Sequence, residues 1–218
     1  MAKRSKGKII VFCAHSDDQI IGVGGTLAKY AAEGKTVITY IFSIGEFSHV
    51  WLREKLTADM RFRESKAAGR IVGSERVYCF GLSEKNFDRE MAEKGILGEV
   101  VKIIKMERPE KIFTHSRDDL HAMHRKVLNI VKMAAEKANY KGDLLSFDVW
   151  NPLNIRGRNK PRLYIDITET FGKKMEALRA FRSQWQARAF LTWTVYLRAW
   201  LNGLHLGKRY AERFYKER

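Results

Sequence analysis

Ile9-Ile10-Val11-Phe12-Cys13-Ala14 is an unbroken apolar run with no polar side chain to turn towards water. That is what a β-strand covered on both faces requires. The run stops at His15-Ser16-Asp17-Asp18-Gln19. Ile20, Val23, Leu27, Tyr30 and Ala31 then recur at helical spacing, and Gly34 supplies a stop. Working outward, the same alternation continues. Val37 to Phe42 is a β-branched and aromatic run, and residues 54–72 read as a helix ending near Gly73. Val77 to Phe80 is a short strand, 94–107 a helix and Lys111 to Thr114 a fourth strand. A strand–helix–strand–helix order implies a parallel sheet with helices on both faces. Beyond 143 the pattern shifts to short strands, Leu144 to Val149 and Leu163 to Ile167, and then to helices up to the end. The expected fold is α/β and Rossmann-like: a mostly parallel sheet, with extra short strands and helices in the C-terminal part. Residues 1–218 read as a single domain.

Composition agrees with one globular unit. The chain has 218 residues, 45% of them hydrophobic, enough for a substantial core. The run from Ile9 is far too short to span a bilayer. Lys3, Arg4, Lys6 and Lys8 precede it, but no small-residue cleavage site follows, so the protein reads as cytoplasmic. Cys13 and Cys79 sit in strand-like stretches without CxxC spacing and read as buried thiols. The net charge of +16 suits phosphate, anionic membrane or an anionic substrate. It comes without an RNA-binding signature or zinc-finger spacing, and no nucleic acid partner is expected.

In parallel sheets the functional loops lie outside the carboxyl ends of the strands. Two such loops are rich in His and Asp. The first, His15-Ser16-Asp17-Asp18, offers one imidazole and two adjacent carboxylates, although a helix start capped by Asp would look the same. The second, Thr114-His115-Ser116-Arg117-Asp118-Asp119-Leu120-His121-Ala122-Met123-His124, holds three of the six histidines. His121 and His124 are three apart at a helix start, so both rings share one face and point back towards the loop. Two loops of this kind point to a metal centre.

Ala14 to Gln19 resembles the Ala-His-Pro-Asp-Asp-Glu signature of the PIG-L (LmbE-like) zinc-dependent N-acetylglucosaminyl deacetylases. Gly22-Val23-Gly24-Gly25-Thr26 follows it as a glycine-rich helix start, and His115 to His124 resembles the family's second motif, in which Asp-x-His-x-x-His opens a helix. Arg61-Phe62-Arg63-Glu64, Tyr164 to Thr168, Lys174 to Leu178 and Tyr210 to Phe214 extend the similarity over nearly the whole chain. The resemblance implies Zn2+ held by His15, Asp18 and His124, with Asp17 as general base and a cationic His121 steadying the oxyanion. Zinc lowers the pKa of a water it binds to about 7. The implied reaction is hydrolytic removal of acetyl from an N-acetylated amino sugar, an N-acetylglucosamine derivative that is either free or linked to lipid or phosphate.

Three positions depart from the family pattern. Ser16 stands for Pro and Gln19 for Glu, where Gln19 can still hydrogen-bond a metal ligand. Met123 stands for the Asp common between the two histidines, which leaves Asp119 as the expected orienter of His121. The alternative function is a basic, metal-stabilised binding module for nucleic acid or anionic membrane with a degenerate site. Arg61 and Arg63 are candidate grips for sugar hydroxyls or phosphate, with a solvated helix face as the alternative. Gly22 to Gly25 read as close helix–strand packing, since Leu27 rules out a dinucleotide fingerprint. Towards the end, Phe190, Trp193, Leu197, Trp200, Leu201 and Leu204 form an apolar helical stripe, with Arg188, Arg198, Lys208 and Arg209 elsewhere. The stripe is expected to pack on the domain or on a partner copy in a homo-oligomer, or else to lie on a membrane surface.

Overall fold

The computed structural model describes residues 7–43, 54–151 and 161–217, without the side chains of residues 54–55 and 184–191. Arg188 and Phe190 of the apolar, basic C-terminal stretch therefore lie outside the described side chains. The elements are β1 (Lys8–Cys13), α1 (Asp18–Ala32), β2 (Thr36–Ser43), α2 (Glu54–Ile71), β3 (Arg76–Leu82), α3 (Phe87–Glu93), α4 (Ile96–Glu107), β4 (Lys111–His115) and α5 (Ala122–Lys137). They continue with β5 (Asp143–Phe147), β6 (Arg162–Asp166), α6 (Phe171–Arg179), a short 3-10 turn, α7 (Trp185–Leu204) and β7 (Ala211–Lys216). The helix expected over 94–107 is α4, which starts after Gly95 with φ at +60°, and a further short helix, α3, precedes it.

The sheet runs β3-β2-β1-β4-β5-β7-β6. β1 to β5 are parallel throughout, whereas β7 pairs antiparallel with both β5 and β6. The expectation of helices to the end is thus corrected. After α7 the chain returns as β7 and fills the gap between β5 and β6, with Ala211, Phe214 and Tyr215 buried. Its charged residues hid this strand. Glu212 is buried because Lys174 pairs with it, and the partly buried Arg213 reaches Asp148.

β1 shows why its sequence is apolar on both sides. Ile9, Val11 and Cys13 pack into the core under α1, α2, α6 and α7, while Ile10, Phe12 and Ala14 enter the core under α3, α4 and α5. The glycines of α1 do as expected. A Cβ on Gly22 would run into the Phe147 ring, and one on Gly25 would meet Ile167 Cδ1 at 2.6 Å. Those residues let α1 lie hard against the sheet, which fixes the position of its first turn.

From β1 the chain proceeds outward to β2 and β3, then returns to β4 on the other side of β1. The connections after β1 and β4 therefore diverge, opening a crevice at their carboxyl ends, where α/β proteins bind ligands. Both His/Asp loops are there.

Candidate functional site

Loop 14–17 leaves β1 and turns directly into α1. Asp17 occupies the N-cap position, but its side chain makes no capping bond. The capping reading of this loop is not realised, and the carboxylate is left for other work. Asp18, buried in the first turn, accepts the His15 backbone N–H at Oδ2, 2.7 Å away. From the second loop, His121 sits just before α5 in extended backbone and His124 in the first turn, with both rings brought to the crevice as their spacing implied.

Three donor atoms converge there. His15 Nδ1 lies 3.2 Å from His124 Nε2 and 3.3 Å from Asp18 Oδ2, and His124 Nε2 lies 3.5 Å from Asp18 Oδ2. Ligands about 2.0–2.1 Å from a tetrahedral zinc stand roughly 3.3 Å apart. The triangle thus has the size a zinc ion needs, and its N/N/O donors are of the right kind.

Each histidine of the triangle is backed by a carboxylate on its far nitrogen. His124 Nδ1 is 3.0 Å from Asp119 Oδ1. His15 Nε2 is 3.4 Å from Glu84 Oε1, which extends from the loop after β3. Such partners fix ring orientation and raise ligand basicity. Asp119 is itself held by the backbone N–H of His121 and, through Oδ2, by those of Val149 and Trp150. The expectation that it orients the His121 ring is therefore corrected: its acceptor capacity goes to His124 and to the backbone. Met123 does not serve that ring either, being packed in the core beneath α5. Among the described residues His121 Nδ1 has no hydrogen-bond partner.

Electrostatics separate the two aspartates. Burial and the neighbouring Asp18 charge push the Asp17 carboxyl up, against the opposing pull of Arg61 and His15. Burial would raise Asp18 too, but His124, His115 and His15 hold it well below the usual carboxylate range. One group is set to exchange a proton and the other to stay ionised, a common division between paired carboxylates. Burial works against charge on His15, yet Asp18 and Glu84 push its pKa up to about 10. Burial and His115 hold His124 down at about 4. Burial and His15 lower His121, which works against the cationic form expected.

Several other residues fall differently from expectation. Arg61 is buried close enough to influence both Asp17 and Glu84. Arg63, two positions on along α2, is exposed and not brought to the site, because two residues turn a helix by about 200°. Gln19 does not touch a metal-type ligand. Its amide donates to Ser16 O and Ser65 Oγ, and its oxygen accepts the Cys13 thiol, so it ties the first loop to α2.

Two residues of the site were missed as such. His115 is fully buried, stacks on His124 with ring centroids 3.8 Å apart, and accepts the Ala14 N–H at Nε2. The same Nε2 lies 3.2 Å from Asp18 Oδ2, so with Asp18 and His124 it forms a second group of metal-type donors, although its motif was legible. Glu84 lies far from either motif, and nothing in its local sequence marks it.

Fold and site together define a Rossmann-like α/β protein with a metal-type His/His/Asp site at the switch point of its sheet. The profile of the PIG-L family, described as GlcNAc-PI de-N-acetylase, matches residues 10–135. The chain belongs to that family. It is similar to the diacetylchitobiose deacetylase of Thermococcus kodakarensis, 26% identical over 223 residues that cover 94% of this chain and 81% of the relative. Its structure resembles that of N,N'-diacetylchitobiose deacetylase from Pyrococcus horikoshii, with a TM-score of 0.79, 23% identity and coverage of 96% and 83% of the two chains. It resembles equally the 4-carboxy-2-hydroxymuconate hydratase GalB from Pseudomonas putida KT2440, with a TM-score of 0.83, 22% identity and coverage of 97% and 96%. One fold thus carries both a deacetylase and a hydratase, and the site must decide between them.

Proposed function

We propose that the chain is a zinc-dependent N-deacetylase, acting as one domain over 1–218, that removes acetyl from an N-acetylated amino sugar of the N-acetylglucosamine class. The observation that carries this reading is the 3.2–3.5 Å triangle of His15, Asp18 and His124, with a second carboxyl of opposite protonation tendency, Asp17, next to it. Family membership and the deacetylase relatives support the substrate class. Bound zinc would supply an acidified water and a Lewis-acidic pole for the amide carbonyl. Asp17 takes the proton from the attacking water and delivers it to the leaving amine; its raised pKa favours the second half of that task. His121 offers an N–H to the developing oxyanion. Arg61 grips sugar hydroxyls or an attached phosphate beside Asp17. Two free thiols, Cys13 and Cys79, support a cytoplasmic location. Nothing in the fold or its relatives supports the alternative of a binding module with a degenerate site.

The test separates metal binding from chemistry at adjacent residues. Asp18→Ala and His124→Ala should lose most of their zinc, measured by elemental analysis, together with acetate release from a panel of N-acetylglucosamine conjugates. Asp17→Asn should keep zinc and fold yet lose about 10²–10⁴ in turnover. If Asp17→Asn loses zinc as completely as His124→Ala, the roles of the two aspartates are wrong. Fully zinc-loaded wild type that releases acetate from no sugar in the panel would overturn the deacetylase reading and return the hydratase-like fold to consideration.

A further inference from the structure

α7 is packed with its large apolar residues outward. Trp193, Tyr196, Trp200, Leu201 and Leu204 are exposed, Trp193 by 64% and Leu204 by 59%. The face turned to the protein carries Thr194, Val195, Ala199 and Asn202, all buried, and Arg198, which donates to Asp148 O at 2.7 Å and Val149 O at 3.3 Å. At about 100° per residue the five exposed side chains fall within roughly 140° of the helix circumference, opposite Val195 and Asn202. The expectation that this stripe packs on its own domain is therefore corrected. The domain takes the small and polar face, because Arg198 is needed under the 148–150 loop. A contiguous exposed apolar patch of this kind marks an interaction surface.

The charge around the stripe indicates what covers it. From Ala177 to Ala211 the chain contains no Asp or Glu, in a protein of net charge +16. Lys208 and Arg209 are exposed just beyond the end of α7. Lys208 lies 3.8 Å from Asp166 Oδ2, but a second copy docking through this face would still bring the remaining positive charges of the segment together with no carboxylate of the segment to pair them. An anionic lipid surface satisfies both features: tryptophan rings suit the headgroup boundary, and cations meet acidic headgroups. No helix among the described residues is long and apolar enough to cross a membrane, so the attachment would be lateral. We propose that the exposed face of α7 docks the protein on an anionic membrane surface. The proposal rests on this helix alone and does not depend on the reaction assigned to the site.

The experiment is vesicle flotation of the full chain. One set of vesicles is pure phosphatidylcholine, the other contains a third phosphatidylglycerol. The protein should float with the anionic vesicles and much less with the neutral ones, and added salt should weaken binding by screening its electrostatic part. Trp193→Ser with Trp200→Ser and Leu204→Ser should lower partitioning by about tenfold or more, with little change in thermal melting because all three are exposed. In the wild type, brominated phosphatidylglycerol should quench tryptophan emission, a reading independent of how the variant folds. Three results would overturn the proposal. One is the absence of flotation and quenching, and another is flotation that salt abolishes but the triple variant retains. The third is a stable dimer in lipid-free solution that the triple variant dissociates, which would assign the face to a second copy.

Discussion

At the residue scale the site works through pairs, a donor that faces the triangle and a carboxylate that holds it from behind. His124 turns Nε2 inward because Asp119 takes Nδ1, and His15 turns Nδ1 inward because Glu84 lies at Nε2. Asp119 can do this in a buried setting because it also receives three backbone N–H bonds. Burial would raise its pKa, but His124 and those donors hold it far below the ordinary range, so it stays ionised at any pH the enzyme meets. Asp119→Ala is accordingly expected to weaken zinc affinity about 10–100-fold while sparing turnover once zinc saturates the site. Metal titration by calorimetry alongside zinc-saturated kinetics checks this. Were Asp119 instead the orienter of His121, turnover would collapse with zinc affinity intact.

The element that positions the site is β1 with its turn into α1. Two adjacent aspartates can point to different tasks only if the first turn of α1 is fixed, and its glycines fix it against β5 and the residue following β6. Gly22→Ala is therefore expected to force α1 away from the Phe147 ring. Overpacking of this sort costs about 1–3 kcal/mol, measurable by urea denaturation, and the shift should also reduce zinc occupancy because Asp18 lies one turn upstream. Gly34→Ala, with nothing within 4 Å but φ at +84°, should cost stability without touching zinc. Equal zinc loss in both would show that α1 does not transmit its packing to the site.

Over the whole molecule, a buried charge pair helps stitch the C-terminal part to the parallel half. Lys174 Nζ on α6 lies 2.6 Å from Glu212 Oε1 on β7 and donates to Ile21 O of α1, while Glu212 also accepts the Gly25 and Thr26 N–H groups. Three elements distant in sequence meet there. Glu212→Ala leaves an ammonium buried against a single carbonyl and should cost about 3–5 kcal/mol. Replacing both partners, as Lys174→Met with Glu212→Leu, should recover much of that loss. Denaturation of the two variants decides it; a double variant as unstable as the single one would mean that Glu212 matters for its N–H bonds alone.

Resemblance to the family's motifs implied His15, Asp18 and His124 as ligands, and the amino-acid sequence by itself determined the alternation of strands and helices and the two loops that carry His and Asp. These rest on residue type and local period, which are one-dimensional. Only the tertiary structure decided the rest. Glu84 joined the site because β3 ends beside β2, one strand away from β1. Asp119 went to His124 because the Val149 and Trp150 N–H groups fixed its direction, and Arg63 was lost to solvent by helical rotation. β7 was hidden because its charges are satisfied by partners far away in sequence. For the aromatic stripe of α7, periodicity shows only that the helix has two faces, which left packing on the domain, on a partner copy or on a membrane open. Which face turns inward is set by the site it packs against, here the backbone carbonyls that Arg198 must reach.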